Sequence, residues 1–282
     1  MRICAGIGTE VIGVPRAVGD LVDDVRQAEA DGFPAAWCVH LSRGIDALSL
    51  LAVAAVSTAR IDLGVGIVPT YPRHPAALAQ QAATVQALAG GRLTLGVGVS
   101  HRPAVEGAFG IPYDRPARHM REYLSVLGPL LECGEVKFGG ELFKVDCAIT
   151  VPGTSRVSVV VGALSPLMVK AAGELADGAV TWLVGARGLE LDVVPGLRKA
   201  AADAGRGAPR LIAGLPVIVC DDPDAGRRRV NQVFARYGTL VNYQQQFERE
   251  GVSGPGDVAV VGDERSVEAQ LRALASAGAT EL

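Results

Sequence analysis

The sequence predicts an α/β fold of the TIM (β/α)8 barrel class, with insertions after strands four and seven, and three observations carry that reading. Hydrophobic residues make up 49% of the 282-residue chain but aromatics only 5%. The core must therefore be built from Val, Leu, Ile and Ala, the composition of parallel strands buried under helices. Short apolar runs alternate with longer segments of helical period, and such repetition requires parallel pairing through crossover helices. Finally, the tail "ASAGATEL" copies the end of the first helical segment, "AEADGFPAAW": small residues, a helix-ending glycine, then a turn into a strand. By that analogy an eighth strand begins near Thr280 and is cut short at the C-terminus. Seven strands alone would leave an open sheet and a closed barrel equally allowed, whereas eight strand–helix units match the barrel. The whole chain, 1–282, reads as a single domain.

The apolar runs, in order, are "RICAGIG" (2–8), "AAWCV" (35–39), "IDLGVGI" (61–67), "RLTLGVGV" (92–99), "RVSVVVGA" (156–163), "DGAVTWL" (177–183) and "RLIAGLPVIV" (210–219). Between them lie amphipathic stretches such as "DLVDDVRQAEADGF", where Leu21, Val25 and Ala28 share one helical face. After strand four, residues 101–155 carry a helix at about 117–132 and two alternating segments, "EVKF" and "ELFKV", joined by Gly139-Gly140, a two-residue hairpin signal. After strand seven, residues 221–262 are polar and helical. Insertions at the C-terminal ends of barrel strands form the walls and lid of a site.

Composition narrows the function classes. Net charge is −3, with no long run of either sign, which argues against a nucleic-acid or acidic-membrane partner and leaves a small-molecule substrate. The opening "MRICAGIGTEVIG" is too short an apolar run for a signal peptide or a span, so a cytoplasmic location is expected. Cys4, Cys38, Cys133, Cys147 and Cys220 are odd in number and widely spaced, so reduced thiols are expected in place of a disulfide framework or zinc site.

In a barrel the chemistry sits just past the strand ends. Those positions hold Gly8 and Thr9, His40, Gly66, Ile67 and Val68, Ser100 and His101, Gly162 to Ser165, and Trp182. His40 and His101 are candidate proton-transfer groups because imidazole gives or takes a proton near neutrality. Trp182 is the candidate substrate contact. In "GALSP", Ser165 reads as a helix N-cap with Pro166 in the first turn, a start whose free amides suit a phosphate. Neither "GIGTEVIG" nor "LGVGVS" has the Rossmann glycine spacing or a helix opening on its second glycine. The glycines of "LGVGVS" read as close-approach positions within a strand. No carboxylate of ligand spacing accompanies the two histidines, so no metal site is expected, and no Gly-x-Ser-x-Gly elbow occurs.

The stretch "LGVGIVPTYPRHPAALAQQAATVQALAGGRLTLGVGVSH" resembles strands three and four of the luciferase-like monooxygenase superfamily, particularly its deazaflavin-dependent oxidoreductases. The shared features are an "LGxGI" strand, a loop ending in "RHP", a helix with "AQxAAT", then "GGRxxLGxG"; weaker similarity runs through most of the chain. The resemblance implies a barrel holding the ring of coenzyme F-420, an 8-hydroxy-5-deazaflavin, or of FMN near its centre. It implies a non-proline cis peptide in strand three, matching Gly66–Ile67, as a backrest for the ring, with Val68 beside it. By the same matching, Val99 and Ser100 line the ring and ribityl chain, and Gly162, Ala163, Leu164 and Ser165 present amides to the cofactor phosphate. His40 falls where related dehydrogenases place a catalytic histidine, and His101 where some carry a glutamate proton donor. Arg73 and His74 are expected to anchor the loop. The implied activity is hydride transfer between deazaflavin and a small organic substrate, in a homodimer. An FMN-dependent monooxygenase and a non-catalytic cofactor-binding protein are the alternatives.

Overall fold

The computed structural model of the chain describes residues 1–8, 16–40, 42 and 44–282; Thr9 lies outside them. It divides into two compact units, one of Ile3–Gly162 with Leu175–Asp177, the other of Met1–Arg2, Ala163–Glu174 and Gly178–Leu282.

The first unit is built on β1 (Ala5–Ile7), β2 (Ala35–Cys38), β3 (Asp62–Pro69), β4 (Leu93–Gly98) and, after a hairpin of β5 (Glu135–Gly139) and β6 (Lys144–Ala148), β7 (Ser158–Gly162). Strands β1, β2, β3, β4 and β7 pair in that order, all parallel. Helices α1 (Val18–Ala30), α2 (Ala47–Ser57) and α3 (Pro75–Leu88) make the crossovers, and α4 (Arg102–Phe109) and α5 (Pro116–Cys133) fill the insertion after β4. Leu21, Val25 and Ala28 of α1 are buried, as their spacing predicts.

Strand alternation gives this sheet two unlike faces. On one, Ala36, Cys38, Leu63, Val65, Leu93, Leu95, Val97, Val159 and Val161 are all buried and lie in register with one another. Burial pushes the Cys38 thiol up to about 12. The other face carries Trp37, Gly64 and Thr94 in register, then Gly96 and Gly98. Val160 lies in register with Gly96 on this face.

The hairpin departs from the expected two-residue turn. Gly139 pairs with Lys144, and the Gly140 N–H donates to the Phe143 carbonyl at 2.8 Å, so residues 140–143 form the connection. Glu122 of α5 explains the width: its carboxylate accepts from the Glu141, Leu142 and Phe143 N–H groups at 3.3, 2.7 and 3.2 Å.

In the second unit β8 (Gly178–Trp182) and β9 (Arg210–Gly214) pair in parallel. The run 210–219, expected as one strand, is two. Pro216 has no N–H to give, and beyond it β10 (Val217–Val219) pairs in parallel with β11 (Val260–Gly262) in a separate sheet. The helix α6 (Pro166–Leu175) precedes β8, and the polar segment after β10 folds into the helices Pro223–Val233 and Val241–Glu250. Where an eighth strand was expected near Thr280, the structure has one residue, Glu281, with parallel bridges to Arg2 and to Ile212. Its carboxylate accepts from Arg210 Nε at 2.9 Å and Nη2 at 2.6 Å. Among the described residues no helix is long and apolar enough to cross a membrane.

Candidate cofactor and substrate site

At the end of β3 the Gly66–Ile67 peptide is cis, and the register with β4 shifts between Val65 and Val68. The resulting bulge turns Ile67 onto the face of the sheet that carries Gly98. A Cβ on Gly98 would stand 2.6 Å from Ile67 Cδ1, and one on Gly162 would stand 3.4 Å from Ile67 Cγ2. Of the β4 glycines read as close-approach positions, Gly98 is required by Ile67, whereas a Cβ on Gly96 would fall on the Val65 carbonyl oxygen. Deeper on the same face, Trp37 lies across Gly64, whose Cβ would meet the indole at 2.5 Å. The Trp37 Nε1 atom is buried and has no hydrogen-bond partner among the described residues. Val68 is in register with Val97 and fully buried, its side chain part of the core.

His40 follows β2 with a side chain only 6% exposed. Its Nδ1 lies 3.2 Å from the Ala47 N–H and 3.7 Å from Asp46 Oδ2. Arg73 Nη1 stands 3.4 Å from Nε2, and Arg73 Nη2 bonds Asp46. Burial works to raise the Asp46 carboxyl, but the Ser49 N–H, Arg73 and His40 together hold it below its ordinary range. Donors face both ring nitrogens, the Ala47 N–H at Nδ1 and Arg73 at Nε2, and a neutral ring can accept from only one of them. Arg73 anchors the loop, and His74 does so by capping α3, its Nδ1 accepting from the Ala76 N–H at 3.3 Å.

His101 occupies the N-cap position of α4, with its carbonyl accepting from Ala104 and Val105 at 2.9 and 3.0 Å. Just before it, Ser100 has φ 59°, a left-handed conformation that non-glycine residues adopt at a cost. Val99 and Ser100 are half-buried.

The fourth histidine, His119 on α5, was missed in the sequence because nothing in the helical pattern separates it from core. It is buried and stacks on Tyr71 with centroids 4.0 Å apart, and its Nε2 lies 3.0 Å from Thr70 Oγ1. Burial pulls its pKa down to about 4. Tyr71 stacks in turn on Tyr113 at 5.1 Å, and burial raises both phenols to about 12.

In the second unit, Ser165 caps α6: its Oγ accepts from the Met168 N–H at 3.4 Å, and Pro166 follows. The Ala163 N–H, expected to serve a phosphate, donates instead to the Val180 carbonyl at 3.1 Å. Leu164 and Ser165 remain as amide donors. Arg249, which no sequence pattern marks, donates from Nη2 to the Leu164 carbonyl at 3.1 Å and pairs with Asp192 at 3.4 Å. Trp182 lies over Gly214, whose Cβ would meet its ring at 2.8 Å, and packs edge-on against Phe234 at 5.4 Å. Its Nε1 is buried without a partner among the described residues. Among those residues no group of three or more His, Cys, Asp or Glu could hold a metal ion.

In the first unit, parallel strand–helix crossovers set His40 and His101 just past their strand ends, the position at which folds of this α/β class carry small-molecule chemistry. The chain belongs to the luciferase-like monooxygenase family, whose family model matches residues 3–281, and so to a family of oxidoreductases that use flavin or deazaflavin. It is 30% identical over 214 residues to a 5,10-methylenetetrahydromethanopterin reductase of Archaeoglobus fulgidus, a match covering 75% of this chain and 64% of that protein. The chain thus spans less than two thirds of that relative. Among solved structures, an F420-dependent secondary alcohol dehydrogenase in complex with an F420–acetone adduct aligns with TM-score 0.80 at 18% identity, covering 99% of this chain and 91% of the other. The FMN-bound oxygenating constituent of 3,6-diketocamphane monooxygenase from Pseudomonas putida aligns with TM-score 0.76 at 18% identity, covering 100% and 91%. These likenesses give the fold, TIM-barrel-like.

Proposed function

We propose that the chain is an F420-dependent oxidoreductase that moves a hydride between the deazaflavin and a small organic substrate. The observation that carries this reading is the half-exposed Gly66–Ile67 bulge of β3. Trp37 lies over Gly64 and Ile67 over Gly98, so Ile67 presents the apolar face, and the unpartnered Trp37 N–H lies below it. A flat, mostly apolar ring with polar edges fits such a face, and the buried indole donor calls for an acceptor, since an unpaired one costs about 1–3 kcal/mol. When bound, the deazaflavin supplies a ring carbon that gives or takes a hydride and reacts poorly with oxygen.

The protein's part is to hold and exclude. Ile67 supports the ring, and Gly66, Val68 and Gly162 contribute backbone beside it. Val99 and Ser100 line the ring and ribityl chain. Leu164 and Ser165 offer amides to the phosphate, and Trp182 contacts the substrate. His40 is the first candidate for moving the proton, with Arg73 keeping positive charge beside it, and His101 is the second. The FMN-dependent monooxygenase remains the second reading, because the same fold holds FMN in a solved structure. Titration of the purified chain with F-420 and with FMN, followed by absorbance and fluorescence, separates them. Preference for F-420 supports hydride transfer; preference for FMN supports the monooxygenase, and binding of neither sinks both.

A further inference from the structure

Ser100, two residues past the end of β4, is in a left-handed conformation, φ 59°. Its carbonyl is committed: the Tyr113 hydroxyl donates to it at 3.2 Å. Its N–H and its hydroxyl have no partner among the described residues. Ser100 thus has its carbonyl tied and two donors open, an arrangement prepared for a ligand acceptor such as a carbonyl, hydroxyl or phosphate oxygen.

Tyr113 is itself fixed from several sides. The Arg102 guanidinium lies over its ring, 5.3 Å from the centroid, and Nη2 of the same arginine donates to the Tyr113 carbonyl at 2.8 Å. The Tyr113 N–H donates to Glu106 Oε1 at 3.3 Å. On the far side Tyr71 stacks on it, donates from its own hydroxyl to the Asp114 carbonyl at 2.9 Å, and rests on His119. His119 bonds Thr70, whose N–H donates to the Gly98 carbonyl at 2.9 Å. The chain of contacts therefore starts at β4 with Gly98 and returns just past it at Ser100. Of α4 only Val105 is buried, so these contacts, rather than apolar packing, fix the loop that carries Tyr113.

We infer that Tyr113 is a positioning residue of the ligand site, holding the Ser100 carbonyl so that the Ser100 N–H and hydroxyl stay open to an acceptor on the bound cofactor. The assignment rests on the proposed function, since it takes the ligand to be a deazaflavin or flavin. Tyr113→Phe keeps the stack and removes only the hydroxyl.

The experiment is a double-mutant cycle on the Kd of F-420 and of FMN, using wild type, Y113F, S100A and the double variant, with thermal unfolding of each unliganded protein alongside. The expected result is about 5-fold weaker binding in Y113F, with unfolding of the unliganded protein lowered by no more than the loss of that one hydrogen bond accounts for. The double variant should bind more tightly than the product of the single effects predicts, because both act on the same donors. Y113F binding as wild type, or effects that simply multiply, overturns the assignment while leaving the proposed function standing. Wild type that binds neither probe overturns both.

Discussion

Ile67 and Gly98 cannot both carry a full side chain: Ile67 Cδ1 lies 2.6 Å from where a Gly98 Cβ would be. Real Cβ atoms do not approach that closely, so the glycine on β4 is required by the isoleucine on β3. Gly98→Ala should destabilise the fold by about 1–3 kcal/mol through overpacking and weaken cofactor binding. Adding Ile67→Val, which removes Cδ1 but leaves Cγ1 at 2.9 Å, should restore part of the stability. Urea unfolding of the single and double variants measures it, and equal losses with and without I67V would show that the clash is not the cause.

His40 has one ring nitrogen facing the Ala47 N–H and the other beside Arg73. If it handles the proton in the reaction, His40→Ala should lower turnover about 10²–10⁴-fold while cofactor Kd stays within about 2-fold, well under the weight of a hydrogen bond. Steady-state rates with a cofactor titration make the comparison. Wild-type turnover in the variant would move the role to His101.

His119 is buried neutral, with a pKa near 4 against an ordinary 6.5. Above pH 6.5 both folded and unfolded chains are neutral at this residue and it contributes no pH dependence. As pH falls from about 6.5 towards 4 the unfolded chain takes up the proton first, and stability drops, by on the order of 2–3 kcal/mol once both are protonated. His119→Gln should flatten the stability profile across that window. Denaturant midpoints at pH 7, 6, 5 and 4 test it, and parallel profiles for the two proteins would rule His119 out as the source.

Glu281 ties the last residues of the chain to Arg210 of β9 while 2% exposed. Glu281→Ala should cost more than the roughly 1 kcal/mol of an exposed pair and less than the roughly 3–5 kcal/mol of a fully buried one, because Arg210 retains 31% of its side-chain exposure. Unfolding in urea gives the value. A loss below about 0.5 kcal/mol, in the range of ordinary surface changes, would mean water satisfies Arg210 unaided.

The strands and first helices were legible in the sequence because each is a local pattern. "LTLGVG" alternates, Leu21, Val25 and Ala28 recur at helical spacing, and Ser165-Pro166 spells a helix start. Pairing partners are not local. The 210–219 run hid its break because periodicity alone does not say that Pro216 sends Val217–Val219 to a different neighbour, β11. The Gly139-Gly140 turn was misjudged because Glu122, in another element, draws in the amides that widen it.

The site divides along the same line. The residue types were set by the sequence: histidines at two strand ends, glycines where a neighbour packs close, serine and proline at a helix start. Only the tertiary structure decided which groups stay open. It gave the Ala163 N–H to Val180, put the Ala47 N–H beside the Nδ1 of His40 and gave the Ser100 carbonyl to Tyr113. A hydrogen bond is settled by position in space, and residues 13 apart in the chain can be bound or strangers with no change in local pattern.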